Sequence, residues 1–191
     1  MKLLILDRDG TLNAPRDDFV TAPEDWEPLP GALEAVARLN QAGWRLVIVS
    51  NQSGLGRGLL DMASLNAIHN KMNKALAAVG GRVEAIFFCP HVPDDHCACR
   101  KPAPGLFLQI AERFGVSLKG VPAAGDSVRD AQAAIAVGCE PHLLMTGNSA
   151  DCRDGNLPAD LPPGSYVHTD LSAFADFILA RERVQQESKQ S

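Results

Sequence analysis

A doubly wound α/β sheet, mostly parallel and Rossmann-like, is the fold this sequence predicts. Three observations carry the expectation. Short continuous apolar runs recur along the chain, each of a length suited to a strand covered on both faces. Amphipathic stretches at helical spacing fill the gaps between them. Strand–helix–strand alternation then calls for a parallel sheet with right-handed crossovers.

The elements follow in order. Residues 2–6 form an apolar run, broken at once by Asp7-Arg8-Asp9. A helix is expected over 31–41, where Leu33, Val36 and Leu39 share a face and Gly43 follows. The second strand, 44–49, contains Leu46-Val47-Ile48-Val49. Over 61–79 a stripe of Leu65, Ile68, Met72, Leu76 and Val79 predicts a long helix, which Gly80-Gly81 ends. Further strands are expected over 83–88, 121–124 and 142–145, and further helices over 104–114 and 127–137. The Gly-, Asn-, Asp- and Pro-rich stretch 146–164 reads as a surface loop. Residues 1–180 are expected to form one domain, and the polar stretch 181–191 a frayed tail.

Composition narrows the function. A chain of 191 residues with 46% hydrophobic and 21% charged residues suits a single globular enzyme domain. Its net charge of −5 argues against nonspecific nucleic-acid binding, though a local basic cluster still accommodates a small anion. The first apolar run is too short for a signal segment, and no stretch is long enough to span a bilayer, so a cytoplasmic protein without a membrane partner is expected. Five cysteines, three of them within eleven residues, favour metal binding over a disulfide framework.

In a doubly wound sheet, ligands bind beyond the carboxyl ends of the strands. After the first strand stands Asp7-Arg8-Asp9-Gly10-Thr11, two carboxylates that repel each other unless a cation or proton intervenes. Ser50-Asn51-Gln52-Ser53-Gly54 follows the second strand, and Gly125-Asp126-Ser127 the fourth, with Asp130 beyond it. Any one of these reads equally well as a turn. Together they gather carboxylates, a hydroxyl and a Gly-rich turn on one sheet edge. Arg100-Lys101-Pro102 adds cations on a proline-restricted loop, able to neutralise a phosphate.

In this order, Asp7-x-Asp9-Gly10-Thr11, Ser50, Lys101 and Gly125-Asp126-x-x-x-Asp130 resemble the four motifs of the haloacid-dehalogenase superfamily, over roughly residues 1–180. Asp9 points to its phosphatase branch. The resemblance implies Asp7 as a nucleophile forming an aspartyl phosphate and Asp9 as acid and then base. It implies Mg²⁺ held by the carboxylates of Asp7 and Asp126 and the Asp9 backbone carbonyl. Lys101 and Ser50 would hold the phosphoryl oxygens, with Asn51, Gln52 and Ser53 also at the substrate. Asp130 would orient Lys101 or support the metal.

Cys89-Pro90-His91, five further residues and Cys97-Ala98-Cys99 offer three sulfurs and an imidazole, a Cys₃His set for zinc, with His96 competing as the nitrogen donor. Free cysteines are the plain alternative. The segment 89–102 resembles the zinc loop of two phosphatase groups, acting on D-glycero-D-manno-heptose 1,7-bisphosphate and on histidinol phosphate. That likeness favours His91 as the ligand and makes the zinc structural. Asn51-Gln52-Ser53-Gly54-x-x-Arg57-Gly58 and Arg100-Lys101-Pro102-x-Pro104-Gly105 resemble the heptose group, whereas the short gap between His91 and Cys97 resembles the histidinol group. The heptose likeness implies removal of the C7 phosphate, in the supply of heptose for lipopolysaccharide. Arg57, Arg100 and Arg16 are then candidates for the phosphate that stays. The loop 14–19 is too short for a cap domain, so an open, capless site and a monomer are expected. A phospho-acceptor receiver domain would need an Asp after the third strand, where Phe88-Cys89-Pro90 stands.

Overall fold

The computed structural model describes residues 1–190. Six strands form one sheet in the order β3-β2-β1-β4-β5-β6, every neighbouring pair parallel. They are β1 (Leu3–Leu6), β2 (Arg45–Asn51), β3 (Ala85–Cys89), β4 (Pro122–Gly125), β5 (Glu140–Leu144) and β6 (Tyr166–His168). The helices are α1 (Ala32–Gln41), the single turn α2 (Ser53–Gly56), α3 (Met62–Ala78), α4 (Gly105–Phe114), α5 (Val128–Ile135) and α6 (Leu171–Gln190). Order reverses at β1, which pairs β2 on one side and β4 on the other. Such a reversal opens a crevice at the carboxyl edge.

Side chains of β1 alternate between two cores, as strand geometry requires. Leu4 and Leu6 pack with Val36 and Leu39 of α1, Leu65 and Ile68 of α3, and Phe174 of α6. Leu3 and Ile5 face the other way, onto Phe107 and Ile110 of α4 and Ala133 and Ala134 of α5. All four are buried, which explains the unbroken apolar run. The Asp61 side chain accepts from the Ser64 N–H and starts α3.

Three expectations need correction. A sixth strand, β6, lies within a stretch with only three residues to announce it, and its pairing with β5 fixes it there. Residues 147–154 of the expected loop form a 3₁₀ segment. Finally, 181–190 continue α6 where a frayed tail was expected; Ser191 lies outside the described residues. Its first residues are tied to the body of the domain: Arg181 pairs with Glu140 at 2.6 Å, and Glu182 accepts from Trp44 Nε1 and pairs with Lys2.

Candidate active site and metal-binding loop

Asp7 leaves the end of β1 with its N–H donating to the Ala124 carbonyl of β4, so its side chain stands at the strand reversal. Lys101 is buried, and its ammonium bridges Asp7 (2.9 Å) and Asp130 (2.5 Å) while donating to the Val49 carbonyl (2.8 Å). Burial disfavours that charge, but Asp130 and Asp7 outweigh it and raise the lysine pKa. The backbone of Lys101 is clamped as well: Asn51 donates to its carbonyl (3.1 Å) and accepts from its N–H (3.0 Å). Asp130 also accepts from the N–H and hydroxyl of Ser127, so one carboxylate caps α5 and anchors the lysine.

Carboxylate oxygens of Asp7, Asp126 and Asp130 lie within 4.8 Å of one another. Burial raises Asp7 well above the usual carboxylate range; Lys101 draws it back, and Asp130 and Asp126 push it higher. Asp126 is raised to about 6 by burial and by Asp130, against hydrogen bonds from the N–H and side chain of Asn148. Crowded, buried, all-oxygen donors of this kind fit a hard divalent cation. Asp130 is saturated by Lys101 and Ser127, which leaves Asp7 and Asp126 as the carboxylates suited to it. Gly10 has φ +77°, and a Cβ there would lie 2.1 Å from Asp126 Oδ2. A Cβ on Gly147 would meet the same oxygen at 2.1 Å. Two glycines thus let Asp126 approach the floor of the site.

Asp9 is bound by donors on every side. Arg8 reaches both its oxygens through NH2 (2.8 and 2.9 Å), Asn13 donates at 2.9 Å, and Gln52 donates at 2.8 Å while also donating to Ser50 Oγ at 2.7 Å. Burial would raise Asp9, but the Arg8 charge and these hydrogen bonds prevail and hold it below the usual value.

A cleft of about 230 Å³ opens above this floor; its walls include Arg16, Phe19, Ser53, Arg100, Arg129 and Asn148. Arg16 faces it but is half exposed and paired with Asp18 at 2.8 Å. Arg57 stands outside the wall, its guanidinium 5.9 Å from the centre of the Phe19 ring. Arg129, in the first turn of α5, takes a place at the wall that sequence reasoning did not give it. Burial lowers the Arg100 pKa, and the nearby guanidiniums of Arg129 and Arg57 lower it too. Arg8, Asn13 and Asn148 were also missed. Asn148 follows β5 at the carboxyl edge, so the strand-end rule extended to the fifth strand would have found it.

The cysteine loop closes on itself. Cys99 Sγ lies 3.1 Å from Cys89 Sγ and 3.3 Å from His91 Nδ1, and Cys97 Sγ lies 3.5 Å from both other sulfurs. Zinc–sulfur bonds of about 2.3 Å imply tetrahedral sulfur–sulfur edges of roughly 3.8 Å, so a modest expansion of this cluster fits zinc. The fourth donor is His91; His96 takes no part in the cluster. Burial opposes the Cys97 thiolate, yet the N–H groups of Arg100 and Cys99 help hold its pKa down to about 6, favouring the form that binds metal. Arg100 donates to the His91 carbonyl at 3.3 Å, joining loop and cleft.

A half-buried carboxylate, a buried lysine bridging two acids and an all-oxygen floor suited to a cation, at the reversal of a parallel sheet, are features of a phosphoryl-handling hydrolase. The chain belongs to the haloacid dehalogenase-like hydrolases, whose family pattern matches residues 2–138. Among its relatives, the D-glycero-beta-D-manno-heptose-1,7-bisphosphate 7-phosphatase of Bordetella bronchiseptica is 56% identical, covering 94% of this chain and 98% of the relative. The enzyme of the same name from Pseudomonas aeruginosa is 46% identical, covering 93% and 97%. The crystal structure of D,D-heptose 1,7-bisphosphate phosphatase from B. bronchiseptica, complexed with magnesium and phosphate, superimposes with a TM-score of 0.90 at 55% identity, covering 95% of this chain and 99% of that one.

Proposed function

We propose that this chain is a Mg²⁺-dependent phosphatase that removes the C7 phosphate of D-glycero-D-manno-heptose 1,7-bisphosphate. The observation that carries the reading is the cleft: Asp7 paired to a buried lysine at its floor, and Arg100 and Arg129 at its wall. Likeness, over nearly the whole chain, to enzymes named for that activity supports the substrate.

Asp7 attacks phosphorus, forming a bond from its carboxylate oxygen as the bond to the C7 oxygen breaks. Magnesium, held by Asp7, Asp126 and the Asp9 carbonyl, would neutralise charge between nucleophile and phosphate. Lys101 and the Ser50 hydroxyl hold the equatorial oxygens where charge concentrates. A dianionic phosphoryl group beside Asp9 raises the affinity of that carboxylate for a proton. Asp9 gives this proton to the leaving alkoxide, then takes one from the water that releases phosphate from Asp7. Arg100 and Arg129, which face no carboxylate in any ion pair among the described residues, suit the phosphate that is not cleaved. Zinc on Cys89, His91, Cys97 and Cys99 would clamp the loop behind Lys101. The enzyme works as a cytoplasmic monomer, a compartment that suits free thiols. No helix among the described residues is long and apolar enough to cross a membrane.

The test is a panel of both anomers of the heptose 1,7-bisphosphate, fructose 1,6-bisphosphate and histidinol phosphate, run on wild type and Asp7→Asn. The wild type should prefer a heptose bisphosphate and release the C7 phosphate; Asp7→Asn should be inert on all. Preference for histidinol phosphate would overturn the substrate, and turnover by Asp7→Asn without deamidation would overturn the mechanism.

A further inference from the structure

Arg8 is fully buried, although it lies between two site residues and carries a charge. Burying a guanidinium costs several kcal/mol unless it is well paired. Among the described residues its one ion-pair partner is Asp9, which it meets with NH2 on both oxygens and with Nε at 3.2 Å. On its far side, Arg8 NH1 stands 3.3 Å from Nε2 of His69, a buried residue of α3. Arginine has no acceptor, so His69 Nε2 must accept and the ring hydrogen sits on Nδ1. A neutral imidazole steadies the guanidinium without competing for its charge. A carboxylate at that place would divide Arg8 between two anions.

We propose that Arg8 and His69 form a positioning pair that fixes the carboxylate of Asp9 for its proton transfers. The terminal torsion of an aspartate is soft, with a broad distribution. A planar fork that touches both oxygens fixes the carboxylate plane, as a single ammonium cannot. Asn13 and Gln52 then hold the oxygens from the sides. Proton transfer needs alignment, and a displacement of about 1 Å can cost on the order of 10²-fold in rate. His69 acts at one remove, by keeping Arg8 in place. The proposal rests on the acid–base role given to Asp9 above.

Two substrates separate positioning from mere support. A sugar phosphate has a poor leaving group and needs the acid; p-nitrophenyl phosphate has a good one and does not. The measurement is kcat/KM, which reports events up to formation of the aspartyl phosphate. Asp9→Asn calibrates the scale: a loss of about 10²–10⁴-fold on the bisphosphate and a distinctly smaller one on the aryl ester, whose leaving group needs no proton. His69→Leu should lose roughly tenfold or more on the bisphosphate, with the aryl ester nearly unchanged. His69→Gln, which still offers an oxygen to Arg8, should recover most of it, and His69→Leu should add nothing in an Asp9→Asn background. Arg8→Lys, if it folds, should resemble His69→Leu. An equal fall on both substrates, or a further fall in the Asp9→Asn background, overturns the pairing. If Asp9→Asn itself fails to discriminate, the role of Asp9 is wrong and the pairing falls with it, a result distinct from failure of the pair alone.

Discussion

At the scale of single residues, the site depends as much on side chains left out as on those present. Gly10 combines a left-handed backbone with a Cβ position 2.1 Å from Asp126 Oδ2. Gly10→Ala should therefore strain the turn by about 1–2 kcal/mol and push Asp126 off the metal position. The apparent Mg²⁺ affinity should drop roughly tenfold, equivalent to about 1.4 kcal/mol; a magnesium titration of activity reads it, and an unchanged midpoint would refute the steric account. The acids Asp7, Asp9 and Asp126 were legible in the sequence because Asp7 and Asp126 follow a strand directly and Asp9 stands two residues after Asp7. Arg8 was not. An arginine between two aspartates reads as solvated, and only the packed structure shows it turned inward to Asp9 and His69. Arg57 illustrates the converse: its motif was visible, yet its guanidinium lies over Phe19, outside the cleft wall.

Elements carry the next layer. The loop between β3 and α4 has no apolar core of its own, and four donor atoms at 3.1–3.5 Å supply its cross-link. Zinc should copurify at one equivalent per chain. Cys99→Ser should lose it and lower activity, since Lys101 and Arg100 sit directly after the last ligand; metal analysis beside a rate assay checks both. The cysteine spacing made this loop readable, whereas β6 was hidden because three residues carry too little pattern. That strand nevertheless completes a cluster in which His142 stacks on Tyr166 at 4.9 Å and lies 2.9 Å from His168. Burial lowers His142 from its ordinary 6.5 to about 4, with Glu140 opposing and His168 and Arg181 assisting. Between those values the unfolded chain binds the proton that the folded one refuses, so unfolding free energy rises with pH across the window. Stability should accordingly fall as pH drops from about 6.5 to about 4, by roughly 3 kcal/mol at most for this group. Denaturant midpoints should show the slope, and His142→Gln should flatten it; an undiminished slope would assign the effect to other groups.

For the whole molecule, the sheet order puts Asp7 at the centre of the fold and the cysteine loop toward one edge, following β3. A protein of net charge −5 presents Arg16, Arg100 and Arg129 around a capless cleft, so attraction for an anion is local. Screening lengths fall from about 10 Å at 0.1 M salt to about 3 Å at 1 M. Raising KCl over that range should increase KM for the bisphosphate several-fold and leave kcat within about twofold; a salt-independent KM would mean that the rim arginines do not recruit substrate. Alternation of strand and helix made this architecture legible, because period and length determine it, while the inward turn of the 146–148 segment depends on Asp126 beyond β4 and the Gly10 carbonyl beyond β1. The missing cap has one more result. A mouth without a cap leaves its phosphate-holding groups open to an arriving and a departing phosphate alike. Free orthophosphate should compete for the same lysine and guanidiniums, so initial rates should fall as phosphate is added to the assay, with KM rising and kcat little changed.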